Sequence, residues 1–305
     1  MGIFSDVLDT ASLNIYSADI KNLMDSEYII RPMMQNEIDF AIELATTEGW
    51  NPGLHDRDCF YAADRNGFFI GLLNGQPIAC LSAVKYSDSF GFMGLYIVKK
   101  PYRGQQYGIK LWHAGLNYLK GCNIGLDGVV AQQDNYIKSG FQAAYRNIRY
   151  QGLTGGQFSC NPELIELANI PFAQICLYDS AFFPADRTKF LKLWLTQPDS
   201  IALGIIRNNR IVAYGVIRPC RIGYKIAPLF ADNPLLAETL WLGLLAAVEE
   251  NQSVFLDICE NNPHARALVK RHDLQIVFET SRMYTKYMPT LDFERMYGIT
   301  SFELG

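Results

Sequence analysis

Apolar positions along the chain fall into two periods. Residues 36–47 place Ile38, Ala41, Ile42 and Ala45 at the i, i+3, i+4, i+7 spacing of an amphipathic helix. A short β-type run at 28–31, ended by Pro32, precedes it. Residues 49–53 break the helix, and after a stretch to Arg65 come two strands, 68–73 and 78–85, divided by Asn74-Gly75. That dipeptide between apolar runs is the strongest short-range hairpin signal. A further strand, 90–98, leads into a glycine-containing turn at 101–108, a helix at 109–120 and a strand at 125–130. Residues 141–151 read as a closing strand, and the glycines of 152–157 mark a linker. Residues 1–26 are polar and weakly periodic, an irregular or helical lead-in.

The same order returns after the linker. A helix over 185–195 precedes strands at 200–206 and 211–218, which flank Asn208-Asn209, and another strand at 223–230. Then come a helix at 234–250, a strand at 254–258, a helix at 263–271 and a strand at 276–283. Leu111-Trp112 lines up with Leu240-Trp241, and Leu126-Asp127 with Leu256-Asp257, at separations of about 130 residues, a duplicated domain rather than a solenoid period. The expected organisation is a lead-in over 1–27 and mixed α/β units over 28–151 and 152–305.

Composition narrows the function classes. At 305 residues, two domains of about 150 are the prior. A hydrophobic fraction of 49% with 19% charged residues suits a well-cored chain, and a net charge of −4 with pI near 5.6 argues against a nucleic-acid partner. Seven scattered cysteines without paired spacing indicate neither a disulfide framework nor a metal site, and fit reducing cytoplasm. No basic leader and no long apolar run is present, so no membrane role is expected.

Strand, glycine-containing turn and helix in that order make a phosphate site. The unpaired N–H groups and positive dipole end of a helix start hold a pyrophosphate without a lysine cluster. Arg103 would supply one full charge. The alternative is a plain turn, and what favours the phosphate reading is the ordered strands together with Tyr136 placed before Gly140-Phe141.

Arg-Gly-Gln-Gln-Tyr-Gly at 103–108, with Tyr136, Lys138, Gly140 and Phe141 in the pattern Tyr-x-Lys-x-Gly-Phe, resembles the GNAT acetyltransferase superfamily, and the whole chain its tandem-domain members. The family loop, Arg/Gln-x-x-Gly-x-Gly/Ala, is met at Arg103 and Gly108, while Gln106 stands where the first glycine belongs. The resemblance implies an acetyl-CoA site at Tyr96, Ile97, Val98, Arg103, Gly104, Gln105, Gln106, Tyr107, Gly108, Asn135 and Tyr136. It also implies Tyr136 as the acid beside the leaving sulfur. Reference pKa values near 10 and 8.5 make full proton transfer from phenol to thiolate uphill by about 2 kcal/mol, so a shared hydrogen bond is expected instead.

The implied activity is transfer of an acetyl group to a primary amine on a small molecule or peptide. The acceptor would enter beside Trp50, Asn51 and Asp56. Trp50 reads equally as a core aromatic. Glu48, Asp56 and Asp58 are open candidates for the base. A non-catalytic acyl-CoA sensor and an aminoacyl-tRNA-dependent transferase remain alternatives.

In the second half Asp232, Asn233, Pro234 and Leu235 stand where the phosphate loop belongs, and Val269 replaces the tyrosine. One cofactor site per chain is therefore expected, with the second half shaping the acceptor pocket or packing the first. Arg146 and Arg149 are either contacts to the 3′-phosphate of the cofactor or a wet strand face. The recurrence of Asp127 and Asp257 in both halves favours a structural role, and His264 and His272 read as solvated.

Overall fold

The structure is a computed structural model and describes residues 27–155 and 162–305, so residues 1–26 of the lead-in and the end of the linker lie outside the described residues. The first half runs β1 (Tyr28–Pro32), α1 (Ile38–Thr47), α2 (Asp56–Ala63), β2 (Phe68–Leu73), β3 (Gln76–Lys85) and β4 (Phe90–Val98). It continues with α3 (Tyr107–Tyr118), β5 (Asn123–Val129), α4 (Gln133–Lys138) and β6 (Gln142–Leu153). The second half runs β7 (Ile165–Glu166), α5 (Phe172–Asp179), α6 (Thr188–Trp194), β8 (Ile201–Arg207), β9 (Arg210–Pro219) and β10 (Tyr224–Ala231). It closes with α7 (Pro234–Ala246), β11 (Ser253–Cys259), α8 (Pro263–Arg271), β12 (Gln275–Tyr284) and β13 (Met296–Gly298).

Both hairpin signals form turns with left-handed residues: φ is 50° and 78° at Asn74 and Gly75, and 52° and 58° at Asn208 and Asn209. Five elements have no counterpart in the sequence reading: α2, α4, β7, α5 and β13. In α2 the acidic first turn, Asp56 and Asp58, suits the positive end of the helix, while Cys59 and Phe60 supply its buried side.

The strands form one sheet in the order β1-β2-β3-β4-β5-β12-β6-β11-β10-β9-β8-β7, with β13 placed against β10. The centre of this order is a reciprocal exchange. β12, from the second half, lies against β5 of the first, and β6, from the first half, lies against β11 of the second. The boundary drawn at 151/152 thus falls inside β6, whose neighbours are both strands of the second half. The exchange explains the repeated aspartates. Asp127 on β5 sits opposite Arg282 on β12 and pairs with it at 2.5 Å; Asp257 on β11 sits opposite Arg149 on β6 and is held at 2.7 Å by both Nε and NH2. Each half supplies the acid to the other's arginine.

Packing follows the same logic. One core joins Ile38, Phe60 and Leu95 to Phe190, Trp194 and Leu304, and another joins Phe90 and Phe92 to Phe182, Phe230 and Phe302. Phe60 stacks on Trp194 at 6.5 Å between ring centroids. Each large apolar side chain buried this way is worth about 1.5–3 kcal/mol, so the halves are bound by far more than their linker. Among the described residues no helix is long and apolar enough to cross a membrane.

Candidate functional site

The site grows from a break in the central ladder. β4 and β5 pair in parallel only from Phe90↔Asn123 to Met93↔Leu126, and beyond that point the two strands have no register with each other. On its other edge β4 slips register against β3 between Cys80 and Ser82, and Leu95 takes a φ of 48°. That bulge puts Leu95 and Gly94 on the same face and turns the Leu95 carbonyl to the Cys80 thiol at 3.0 Å. The β5-facing backbone groups of residues 94–98 are left without a strand partner.

At the mouth of this V the chain makes the turn into α3. Gly104 and Gln106 both have left-handed backbone, φ 78° and 64°, and no side chain caps the helix start. The first-turn N–H groups of α3 therefore point out of the helix unclaimed. Gly108 lets the helix start approach β4: a Cβ there would lie 2.6 Å from the Tyr96 hydroxyl and 3.0 Å from Val98. These features fit the pyrophosphate and pantetheine of an acyl-CoA.

Arg103 is used differently from the expectation. Its Nε donates to the Val98 carbonyl at 2.7 Å and its Nη2 to Glu48 at 2.5 Å, so in this structure the guanidinium ties the 103–108 turn to the end of α1. Gln105 donates to the Pro101 carbonyl at 2.9 Å, and Asn135 is exposed and donates to Gln132 at 2.7 Å. Tyr107 packs on Tyr28, whose hydroxyl donates to the Tyr107 carbonyl at 3.2 Å. Ile97 is buried on the opposite face from Tyr96 and Val98.

Tyr136 sits on α4 above the V. Its ring lies over Gly128, where a Cβ would meet it at 2.5 Å, so glycine at 128 makes room for it. The ring also packs on Trp112 at 5.6 Å, and Tyr96 packs on the same indole at 5.2 Å. Burial, with the nearby Tyr96 phenol, pushes the Tyr136 hydroxyl up to about 12. It is therefore a neutral donor throughout the physiological range. The Trp112 Nε1 lacks a partner among the described residues, but so does Trp241 Nε1 on α7, so this feature does not mark the site.

The expected acceptor residues part company. Trp50 is half-buried at the edge of the shared core, and its carbonyl accepts from Arg149 at 2.7 Å. The Asn51 side chain is spent on the second half, donating to the Ile222 carbonyl at 3.0 Å and accepting from its N–H at 2.9 Å. Asp56 is 1% exposed, pairs with Arg218 at 2.5 Å and accepts from the Gly53 N–H at 2.8 Å. It locks the loop from inside and is not open to an acceptor. Of the other base candidates, Glu48 is engaged by Arg103, and Asp58 pairs with Arg57 at the surface.

Arg149 is 3% exposed and pinned by Asp257, and Arg146 bonds Glu279 and Glu260, so neither is free for a 3′-phosphate. Burial alone would raise the Asp257 carboxyl, yet the Arg149 charge and hydrogen bonds hold it below its ordinary range. His272 is not simply solvated: it bonds Glu238 at 2.7 Å and packs on Trp241.

The second half closes each counterpart of these features. β10 and β11 pair from Tyr224↔Val254 to Ile226↔Leu256, and then β13 enters and pairs Leu229 with Gly298 and Phe230 with Met296. Tyr297 on β13 is fully buried. The start of α7 is capped by Asn233, whose side chain accepts from the Leu236 N–H at 3.1 Å, and Asp232 before it is paired with Arg295 at 2.5 Å. A separate groove of about 490 Å³, lined by Cys176, Asp179, Phe183, Arg187, Thr188 and Leu191, lies along α5 and α6 and shares none of the residues of the V.

Comparison with known proteins agrees with this geometry. Residues 35–140 match the Acetyltransferase (GNAT) family and residues 175–298 an Acetyltransferase (GNAT) domain. Over 275 residues the chain is 27% identical to a holothin acyltransferase of Pseudoalteromonas sp. (strain SANK 73390), spanning 90% of this chain and 94% of that one. Among solved structures, a putative acetyltransferase from Pyrococcus horikoshii superposes with a TM-score of 0.78 at 22% identity, over 91% of this chain and 96% of that one. A tandem GNAT protein from the clavulanic acid biosynthesis pathway gives 0.61 at 10% identity, over 86% and 99%. At these identities the solved structures speak for the fold.

Proposed function

The chain belongs to the GNAT acetyltransferase family, with a GNAT domain in each half, and is an acyltransferase of a family that draws on acyl-CoA donors; from that premise we propose that it moves an acetyl group from acetyl-CoA to a primary amine on a small molecule or peptide. The observation that carries the reading is the contrast between the halves. The first keeps an open V and an uncapped helix start, while the second has filled the one with β13 and capped the other with Asn233. The donor then binds once per chain.

When bound, acetyl-CoA supplies the thioester carbonyl that an amine attacks. The N–H groups at the start of α3 would hold the diphosphate, and the β5-facing backbone groups of residues 94–97, which have no strand partner there, would orient the pantetheine arm. Tyr96 and Tyr136 line the V beside Trp112 and exclude water from it. Transfer forms a C–N bond and breaks a C–S bond. Tyr136 holds a proton at its phenol oxygen for the departing sulfur, and its raised pKa widens the gap to a thiol of about 8.5. It acts by hydrogen bonding to the developing thiolate rather than by giving the proton away early. The proton lost by the amine leaves through water, because Asp56 is buried against Arg218 and Glu48 is engaged by Arg103. The acceptor enters on the Trp50 side.

Incubation with acetyl-CoA and a broad amine panel, read by release of free thiol, tests this reading. Amine-dependent release is expected. Binding of acetyl-CoA with no release for any amine would overturn the transferase reading.

A further inference from the structure

The loop at residues 50–53 is held from two sides: Ala45 and Asp56 of its own neighbourhood take the Trp50 and Gly53 N–H groups, and the remaining bonds come from β6 and the second half. Arg149 takes the Trp50 carbonyl, Ile222 both ends of the Asn51 amide, and Lys225 Nζ the Asn51 carbonyl at 3.2 Å. The Arg221 N–H takes the Pro52 carbonyl at 3.3 Å, and Gly53 bridges to Cys220. Asn51 itself has φ 52°, a left-handed turn position that asparagine tolerates.

Lys225 is the member of this set that packing does not explain. It is 2% exposed and stands directly across β9–β10 from Arg218, which is 1% exposed, with buried Arg149 nearby. Asp257 and Asp56 pair the two arginines. Glu303, 4% exposed and hydrogen-bonded to Ser301, is the remaining carboxylate within Coulomb reach of all three cations. Lys225 has no ion pair of its own among the described residues, and its hydrogen bond goes to Asn51. Burial, with the nearby Arg149 guanidinium, pushes the Lys225 amine below its ordinary range, and a hydrophobic residue would be cheaper at this position.

The fold itself shows that such a residue fits. In the parallel registers Met93↔Leu126 corresponds to Ile226↔Leu256, which places Phe92 at the position equivalent to Lys225, and Phe92 is fully buried. The lysine is therefore kept for what it touches.

We infer that Lys225, with Asp257 and Glu303 as distant counter-charges, is a positioning residue that sets the posture of the proposed acceptor loop at 50–53. The inference rests on the proposed function, in which the acceptor enters beside Trp50. The second half thus acts on acceptor binding through a strand that carries no donor chemistry.

Lys225→Met tests this directly. The variant is expected to fold, to bind acetyl-CoA within about twofold of wild type, and to raise the acceptor KM by about tenfold, the worth of one hydrogen bond, with kcat little changed. Glu303→Gln leaves the bond to Asn51 in place and is expected to raise KM less. An unchanged acceptor KM, an equal loss of acetyl-CoA affinity, or failure of Lys225→Met to fold would each overturn the inference. Absence of transfer by the wild-type protein would instead strike the proposed function.

Discussion

At the scale of a single residue, the proposed chemistry turns on Tyr136. Replacing it by phenylalanine removes a proton donor and keeps the ring that packs on Trp112. Tyr136→Phe is expected to lower kcat by about 10²-fold or more, in the range for loss of a general acid, while acetyl-CoA binding measured by calorimetry stays within about twofold. The pH dependence follows from the same burial. Because the hydroxyl is pushed up to about 12, it stays protonated as pH rises through the usual phenol range, so the rate is expected to show no falling limb near 10 from this group. Equal losses in rate and binding would remove its acid role. Tyr136 was legible in the sequence because its signal, the spacing before Gly140-Phe141, is local. Asp56 and Asn51 were legible as polar loop residues but not as buried ones. Their partners, Arg218 and Ile222, lie 162 and 171 positions away, and no local pattern records such a contact. Arg103 was found, yet its bond to Glu48 was not, since the end of α1 and the phosphate loop meet only in the fold.

Among the elements, the start of α3 is where the proposed phosphate grip would be decided. Gln106 occupies a left-handed position that glycine takes without strain, and side chains other than Asn, Asp or Gly pay about 1–2 kcal/mol there. Gln106→Gly is expected to stabilise the turn and to leave acetyl-CoA affinity equal or tighter, by thermal melting and titration. A large loss of affinity would mean that the glutamine side chain itself grips the donor. Periodicity located nearly every strand and long helix, and α8 to the residue, because alternation and the i, i+3, i+4 stripe are properties of one segment. It missed α2, whose sequence carries charged and apolar residues without a clear stripe, and β13, a three-residue strand that exists only through its pairing with β10. β13 matters because it fills the notch whose counterpart in the first half stays open.

For the whole molecule, the duplication was readable as a repeat of about 130 residues, but the strand exchange was not. Hydrophobic alternation says that β6 and β12 are strands and is silent on which neighbours they choose. The exchange makes the two halves one sheet, sets Asp127 against Arg282 and Asp257 against Arg149, and places the Lys225 end of the second half against the loop at 50–53 of the first. The proposed donor site and the loop at 50–53 both belong to the first half, and Ile222 and Lys225 of the second half hold that loop from across the shared sheet. The acyltransferase relatives favour catalysis over a sensing role for this arrangement.

The most direct test is the structure of the full chain with coenzyme A bound. One molecule per chain is expected, its diphosphate on the N–H groups at the start of α3 and its pantetheine arm between β4 and β5, with β13 unmoved. Coenzyme A in the second half, or an empty V under saturating ligand, would contradict a single donor site in the first half.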